Sequence, residues 1–231
     1  MKTISIIQPR GLGDIFFTQK IAKKLIEHNF KVNWFTDTYF WLKDYIKVKD
    51  LNFYNDNIGS DYKLQLNNSI EENHPYDIMT SKYSMIGKTL KFLPESLHKI
   101  NFNNWVEYFT FERNVEKEKK LFHEVLGLNE NSSYILYNSK FGISQINHSV
   151  EKYANGIQTK KIDLMILNDF TLLDWCKVIE NAEEIHTVDT SIIYLVEKLS
   201  LKAKKIKIYP RHSEHTKKDR KSTRLNSSHR T

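Results

Sequence analysis

The sequence predicts an α/β protein built from two consecutive halves, each with a parallel sheet. Three observations predict this class. Short apolar runs rich in β-branched residues alternate with segments whose apolar residues recur at helical spacing. Strands that alternate with helices in this way form parallel sheets. The chain of 231 residues is long enough to bury two small cores. We place an N-terminal domain at 1–110, a C-terminal domain at 111–216 and a tail at 217–231.

The first half opens with a strand, a tight loop, a helix and a second strand. Residues 4–7 and 32–35 are the two apolar runs, and Asn29 ends the helix between them. One apolar helix face is formed by Phe17, Ile21, Ala22, Leu25 and Ile26. The pattern between 37 and 100 predicts shorter elements: helices at 39–46 and 83–93, and strands at 62–66 and 76–79.

The second half repeats the alternation. A helix is predicted at 112–126 and ends at Gly127. Another helix begins near Thr171, which stands three residues before Asp174, as in a capping box. Its apolar face contains Leu172, Trp175, Cys176 and Ile179. A last helix is predicted at 190–199. Strands are predicted at 134–137, 162–167, 185–188 and 205–209.

The distribution of charge argues against nucleic-acid binding. The net charge is +7, but residues 217–231 carry +5 of it, with six Lys and Arg against one Asp, which leaves +2 for residues 1–216. This tail has almost no apolar content and resembles a translated sequencing-adapter scar, so we expect a disordered, non-native segment. The single cysteine excludes an internal disulfide, and no apolar run is long enough for a membrane span. We expect a cytoplasmic protein that meets the inner face of the membrane if its acceptor is a lipid.

Arg10, Gly11 and Gly13 form the loop before the first helix, and Asp14 follows them. Glycines let the backbone approach a ligand closely, and a helix start offers N–H groups and the positive end of the helix dipole. The loop therefore predicts an acceptor-binding or phosphate-binding site. The alternative for Asp14 is a helix N-cap.

A dinucleotide-binding fingerprint is the competing interpretation of this loop. Gly11 and Gly13 fit it, and Asp37 stands near the position of its acidic residue. The third glycine position holds Phe16, which is too bulky for close packing of helix on strand. Asp14 would also place negative charge beside a pyrophosphate. Both departures count against an NAD(P)-dependent oxidoreductase, which stays the alternative enzyme.

Asp189, Thr190 and Ser191 form a second polar junction between a strand and a helix. Hydroxyls and N–H groups at a helix start can bind a diphosphate. The same three residue types are also good helix caps. One such junction would favour capping. Two of them, one in each half, favour a ligand held between the halves.

The order of these motifs resembles the glycosyltransferases of the GT-B fold. Gly11-Leu12-Gly13-Asp14 opens the first helix, and the stretch 169–191 ends in Asp189-Thr190-Ser191. The similarity is strongest to heptosyltransferase-like enzymes of the family 9 type and to related capsule and lipopolysaccharide sugar transferases. It implies two Rossmann-like domains that face each other across a cleft. It also implies polysaccharide biosynthesis: a nucleotide-sugar donor, a glycan or lipid-linked acceptor, and inversion at the anomeric carbon.

The resemblance also implies roles for individual residues. Asp14 matches the general base that deprotonates the acceptor hydroxyl. Lys140 would neutralise the leaving diphosphate, although it could equally be a surface lysine. The implied donor-binding residues are Ser139, Lys140, Asp189, Thr190 and Ser191. No metal and no cofactor are expected. The Gly and His that follow Asp-Thr in heptosyltransferases are missing, so the resemblance does not indicate heptose. A non-catalytic nucleotide-sugar-binding protein is the alternative outside enzymes.

Overall fold

The computed structural model describes residues 2–7, 11–36, 38, 42–55, 75–77, 104–141, 145–147, 149–150, 159–165 and 167–211. The chain divides into two compact units, Met1–Glu112 (unit 1) and Arg113–Thr231 (unit 2). Each unit contains helices and a four-stranded parallel sheet. The predicted α/β class with parallel sheets is therefore confirmed. The domain limits and the arrangement across a cleft stay predictions.

Unit 1 contains the predicted strand–helix–strand start. Its elements are β1 (Lys2–Ile7), α1 (Leu12–Glu27), β2 (Phe30–Thr36), β3 (Leu51–Asn55), β4 (Pro75–Asp77) and α2 (Trp105–Tyr108). The strand order among the described residues is β3-β2-β1-β4. Asn29 adopts a φ of 63° directly before β2, so it ends α1 as predicted.

Apolar side chains of α1 and β2 form the core of unit 1. Ile21, Ala22 and Leu25 are buried on α1, as the helical spacing predicts. On β2, Val32 and Trp34 are fully buried. The strands are buried because a helix covers the sheet, which is the arrangement expected of a parallel sheet.

The middle of unit 1 departs from the sequence prediction. In the described part of the helix predicted at 39–46, Leu42 is helical and a turn follows, in which the N–H of Ile46 donates to the carbonyl of Leu42 at 2.9 Å; residues 39–41 lie outside the described residues. Strand β3 was not predicted, because its five residues alternate weakly and gain their strand geometry by pairing with β2. Strand β4 overlaps the strand predicted at 76–79. The elements predicted at 62–66 and 83–93 lie outside the described residues.

Unit 2 has a longer series of elements. They are α3 (Val115–Lys119), a π-helical segment (Lys120–Val125), β5 (Tyr134–Asn138), β6 (Lys140–Phe141), β7 (Gln145–Ile146), β8 (Lys160–Asp163), a 3₁₀ turn (Leu172–Trp175), α4 (Cys176–Asn181), β9 (Glu184–Val188), α5 (Ile192–Lys198) and β10 (Lys205–Tyr209). The parallel sheet has the order β10-β9-β5-β8, and β6 and β7 form an antiparallel pair.

Most local signals in unit 2 are confirmed. Thr171 and Asp174 form the predicted capping box, with the N–H of Thr171 donating to Asp174 Oδ2 at 2.8 Å. Gly127 follows the helix with a φ of 59°. Several boundaries differ. The helix predicted at 112–126 begins at Val115 and is π-helical from Lys120 to Val125, the strand predicted at 162–167 covers Lys160–Asp163, and the helix predicted at 190–199 covers Ile192–Lys198.

A buried ion pair joins the start of unit 2 to its own helices. The Arg113 guanidinium contacts Glu118, whose side chain is 3% exposed, and Glu180 at 2.8 Å. These carboxylates raise the pKa of Arg113. Nearby, burial raises the pKa of the Cys176 thiol, so this cysteine is an unreactive core residue.

Candidate functional site

The glycine loop of unit 1 starts α1 with a left-handed residue. Gly11 is the N-cap of α1, with a φ of 94° and a ψ of 81°, and its carbonyl accepts the N–H of Ile15 at 3.1 Å. A side chain at Gly11 would strain this conformation. The helix begins at Leu12, so Asp14 is its third residue and the N-cap interpretation of Asp14 is wrong. Position 14 lies in the first turn of α1, where the positive end of the helix dipole stabilises a negative charge.

The structure describes different parts of this predicted site. Gly13 is buried in the first turn of α1, and the backbone of Asp14 follows it. The side chain of Asp14 and the whole of Arg10 lie outside the described residues. The role of Asp14 as a general base therefore stays a prediction.

The position that a dinucleotide fingerprint reserves for glycine is filled by a large core side chain. Phe16 is fully buried, and its ring stacks on Phe109 with 4.6 Å between centroids. With a glycine in place of Phe16, the stacking contact with Phe109 could not form. The packing therefore supports the argument against a dinucleotide site. Asp37, the acidic residue of that alternative, lies outside the described residues.

In unit 2, the parallel register brings two predicted loops to the same edge of the sheet. Asn138, the last residue of β5, is the register partner of Thr187 in β9. The chain continues from β5 into Ser139 and Lys140, and from β9 into 189–191. Both groups of predicted donor-binding residues thus begin at the carboxyl edge, where open α/β sheets bind ligands.

One buried amide links these two loops, and sequence reasoning did not identify it. Asn138 Nδ2 donates to Thr187 Oγ1 at 3.3 Å and to Thr190 Oγ1 at 3.1 Å. Asn138 Oδ1 accepts the backbone N–H of Lys140 at 3.2 Å. The available signal was a polar residue at the end of the apolar run 134–137. We call Asn138, Thr187, Thr190 and the backbone of Lys140 the amide corner.

The turn that carries Asp189 is held by its backbone. The N–H of Asp189 donates to the carbonyl of Tyr209 at 2.9 Å, and Arg211 Nε donates to the carbonyl of Asp189. Arg211 follows β10 and was also not identified from the sequence, because only strand order places it beside β9. The backbone N–H and the backbone carbonyl of Asp189 are thus both hydrogen-bonded to residues at or shortly after the end of β10.

The three polar residues before α5 do not act as a simple helix cap. Ser191 is the N-cap residue, and its side chain makes no cap hydrogen bond. The Thr190 hydroxyl accepts from Asn138 and donates to the carbonyl of Val188 at 3.4 Å. The cap interpretation is therefore wrong for the side chain of Ser191, and the Thr190 hydroxyl is engaged in the amide corner.

Ser139 and Lys140 differ in burial. Ser139 is 2% exposed, and its carbonyl accepts the N–H of Asn147 at 2.8 Å. Lys140 is exposed and is the first residue of β6, which pairs with β7. Phe141, the next residue, is buried in a cluster at the same end of the sheet. The backbone of this loop is therefore anchored, while the ammonium group of Lys140 can reach a ligand.

A buried histidine lies one strand position away from the corner. His186 Nδ1 contacts the hydroxyl of Tyr209 at 3.2 Å, and Nε2 contacts Glu184 Oε2 at 3.0 Å. Burial lowers the pKa of His186, although Glu184 opposes this shift. His186 therefore supports the sheet as a neutral, hydrogen-bonded ring.

The described residues contain neither a metal-binding cluster nor a membrane-spanning helix. No group of three or more His, Cys, Asp or Glu within the described part of the chain could hold a metal ion. The absence of a metal and of a cofactor stays a prediction. None of the described helices is both long enough and apolar enough to cross a bilayer.

Comparison with known proteins shows which solved structures share this fold. No family model and no curated protein matches the sequence. A solved family 9 glycosyl transferase from Veillonella parvula DSM 2008 matches with a TM-score of 0.50 and 11% identity, over 90% of this chain and 86% of that one. The chain shares the fold of a family 9 glycosyl transferase. The resemblance stated from the sequence is confirmed at the level of the fold.

Two further structures match with lower scores. The iron-containing dodecameric glycosyltransferase TibC of enterotoxigenic E. coli H10407 has a TM-score of 0.45 and 9% identity, over 89% of this chain and 58% of that one. The E. coli heptosyltransferase WaaC with ADP has a TM-score of 0.38 and 11% identity, over 90% of both chains. Of these three structures, the V. parvula enzyme is the one whose TM-score supports a shared fold.

Proposed function

We propose that this protein is a glycosyltransferase that moves a sugar from a nucleotide-sugar donor to a glycan or lipid-linked acceptor, with inversion. The observation that carries the proposal is the amide corner of unit 2. It joins the loop of Ser139 and Lys140 to the loop of Asp189, Thr190 and Ser191 at the ligand-binding edge of a sheet. The shared fold supports the same reaction class.

The donor-binding roles follow from charge and hydrogen-bonding capacity. Lys140 is an exposed cation on an anchored backbone, which suits the diphosphate of a nucleotide-sugar. Ser191 supplies a hydroxyl at the N-cap of α5. Asp189 carries a negative charge, so we assign it to the hydroxyls of the donor sugar and not to its phosphates. This division separates phosphate recognition from sugar recognition within one loop.

The proposed reaction is a single displacement. The acceptor hydroxyl oxygen attacks the anomeric carbon, and the Asp14 carboxylate takes its proton. The bond between the anomeric carbon and the diphosphate oxygen breaks, and Lys140 offsets the charge of the leaving diphosphate. Attack opposite the leaving group inverts the anomeric carbon.

A thermal-shift screen of the full chain tests donor binding. The ligands are ADP, UDP, GDP, CMP and NAD, each alone. A ligand at one hundred times its Kd adds about 2.7 kcal/mol, which raises the melting midpoint by about 5 °C or more in a protein of this size. We expect one nucleotide to produce this shift and Thr190→Ala to reduce it to about half, because a tenfold weaker Kd leaves about 1.4 kcal/mol at the same ligand concentration. Ser200→Ala, an exposed hydroxyl outside the corner, is the matched control and should keep the shift.

The outcomes separate the alternatives. Stabilisation by NAD alone would overturn the proposal in favour of a Rossmann oxidoreductase. Absence of any shift would remove the proposed donor site. If a nucleotide binds, release of that nucleotide from its sugar conjugate distinguishes an enzyme from a binding protein. We expect Asp14→Asn to keep nucleotide binding and to lower the release rate at least a hundredfold, as expected for loss of a general base.

A further inference from the structure

We propose that Asn138 is a positioning residue that holds both donor-binding loops in one arrangement and acts on the nucleotide through Thr190. This inference rests on the proposed function, since it concerns how that same site is built. It assigns the Thr190 hydroxyl to the framework of the site and leaves the Ser191 hydroxyl to meet the ligand.

The first argument is the hydrogen-bonding capacity of an amide. Asn138 is 5% exposed, and its two Nδ2 hydrogens and its Oδ1 serve three partners on three segments. The partners are a hydroxyl within β9, a hydroxyl in the loop after β9, and a backbone N–H in the loop after β5. An aspartate would lack the two donors, and a leucine would lack all three groups. Asn138 is therefore matched to its place by chemistry and by size.

The second argument is the state of the Thr190 hydroxyl. It accepts from Asn138 at 3.1 Å, and its hydrogen is directed to the carbonyl of Val188 at 3.4 Å. A hydroxyl that makes these two contacts is less available to donate its hydrogen to a phosphate oxygen. The side chain of Ser191, by contrast, makes no cap hydrogen bond to α5. Asn138 thus fixes the position of Thr190, and the hydroxyl of the neighbouring Ser191 is the group that donates to the ligand.

Each of the two loops is also anchored to a neighbour of its own. The β5 loop is tied to the β6–β7 pair, and the Asp189 turn is tied to β10. Asn138 supplies a side chain that contacts both loops at once. Loss of this amide should loosen the two loops together, although each remains anchored to its own neighbour.

The first arm of the experiment needs no ligand. Hydrogen–deuterium exchange by mass spectrometry compares peptides covering 139–147 and 189–194 in the full chain. Asn138→Ala is expected to speed exchange about tenfold in both peptides. Ser200→Ala, an exposed hydroxyl outside the amide corner, is the control, and both peptides should stay within about twofold of the wild type. Faster exchange in only one peptide, or in neither, overturns the linking role.

The second arm measures binding by calorimetry with ADP, UDP and GDP, each alone, for variants whose melting midpoint confirms folding. Asn138→Ala and Thr190→Val should each weaken binding about tenfold, the equivalent of one hydrogen bond. Their combination should weaken it no further, because both break the same link. Asn138→Ala with Ser191→Ala should instead multiply the two losses.

The two arms keep this inference distinct from the proposed function. Multiplied losses for Asn138→Ala with Thr190→Val would overturn the action through Thr190 while the donor site stands. A wild-type protein that binds none of the three nucleotides would remove the proposed function and with it the action on a nucleotide. In that case, the exchange arm alone decides whether Asn138 links the two loops.

Discussion

Removing the Arg113 side chain is expected to destabilise unit 2 through the carboxylate that it leaves behind. Arg113 Nε donates to Glu118 at 2.8 Å, and its Nη groups donate to Glu180 at 2.8 Å. The Glu118 side chain is 3% exposed and that of Glu180 is 22% exposed. In Arg113→Ala, the buried Glu118 carboxylate loses its guanidinium partner and gains little water in exchange.

The expected size of this effect follows from burial. Leaving one partner of a fully buried ion pair alone costs about 3–5 kcal/mol. The Arg113 side chain is 34% exposed, so solvent screens part of the pair, and we expect a loss of about 2–3 kcal/mol. The double change Arg113→Met with Glu118→Leu should recover most of this loss, because the buried Glu118 carboxylate is removed with its partner and only Glu180, which is 22% exposed, loses an ion-pair partner.

The assay is urea unfolding followed by far-ultraviolet circular dichroism. The matched control is Lys119→Ala, which breaks the pair with Glu116 at 3.0 Å on the same helix. Those side chains are 52% and 84% exposed, so this change should cost no more than about 0.5 kcal/mol. Equal losses in Arg113→Ala and Lys119→Ala would refute the reasoning from a buried carboxylate.

Three further predictions concern backbone and protonation. Gly11→Ala should lower the free energy of unfolding by about 1–2 kcal/mol, because Gly11 has a φ of 94°; an unchanged urea midpoint would contradict this. Gly127→Ala should cost about 1 kcal/mol by backbone strain alone, since an added Cβ would meet no atom within 4 Å, and Gly127→Asn should cost clearly less; equal losses would show another cause. Stability should fall as the pH falls through about 6.5, because burial lowers the pKa of folded His186 and the unfolded chain binds that proton more readily. Urea unfolding between pH 7 and 5 should show a flatter profile in His186→Gln, and an identical slope would reject this assignment.

Elements with a complete local signal were predicted from the sequence. The start of unit 1 is one case, since apolar runs flank an amphipathic helix and Asn29 ends it. The capping box of Thr171 and Asp174 is another, because both partners lie within one turn. Strand β10 was predicted with its observed limits, owing to its regular alternation. In each case the signal that predicts the element lies within a few residues, although the strands also depend on pairing within the sheet.

Elements that depend on a distant partner were missed. Strand β3 owes its geometry to pairing with β2. In the candidate site, Ser139, Lys140 and 189–191 were predicted individually. The residues that organise them, Asn138 and Arg211, were not, since 49 residues separate Asn138 from Thr187 in the chain.

The sequence by itself determined the α/β class, the two polar junctions and the residue types available for donor binding. Periodicity, glycine placement and capping are local properties, so they can be recognised without knowledge of the sheet. The tertiary structure alone decided which strands are neighbours, and thereby that Asn138 faces Thr187 and Thr190. It also decided that the half-buried Thr190 hydroxyl contacts the Asn138 amide and the Val188 carbonyl, because strand order places these groups side by side.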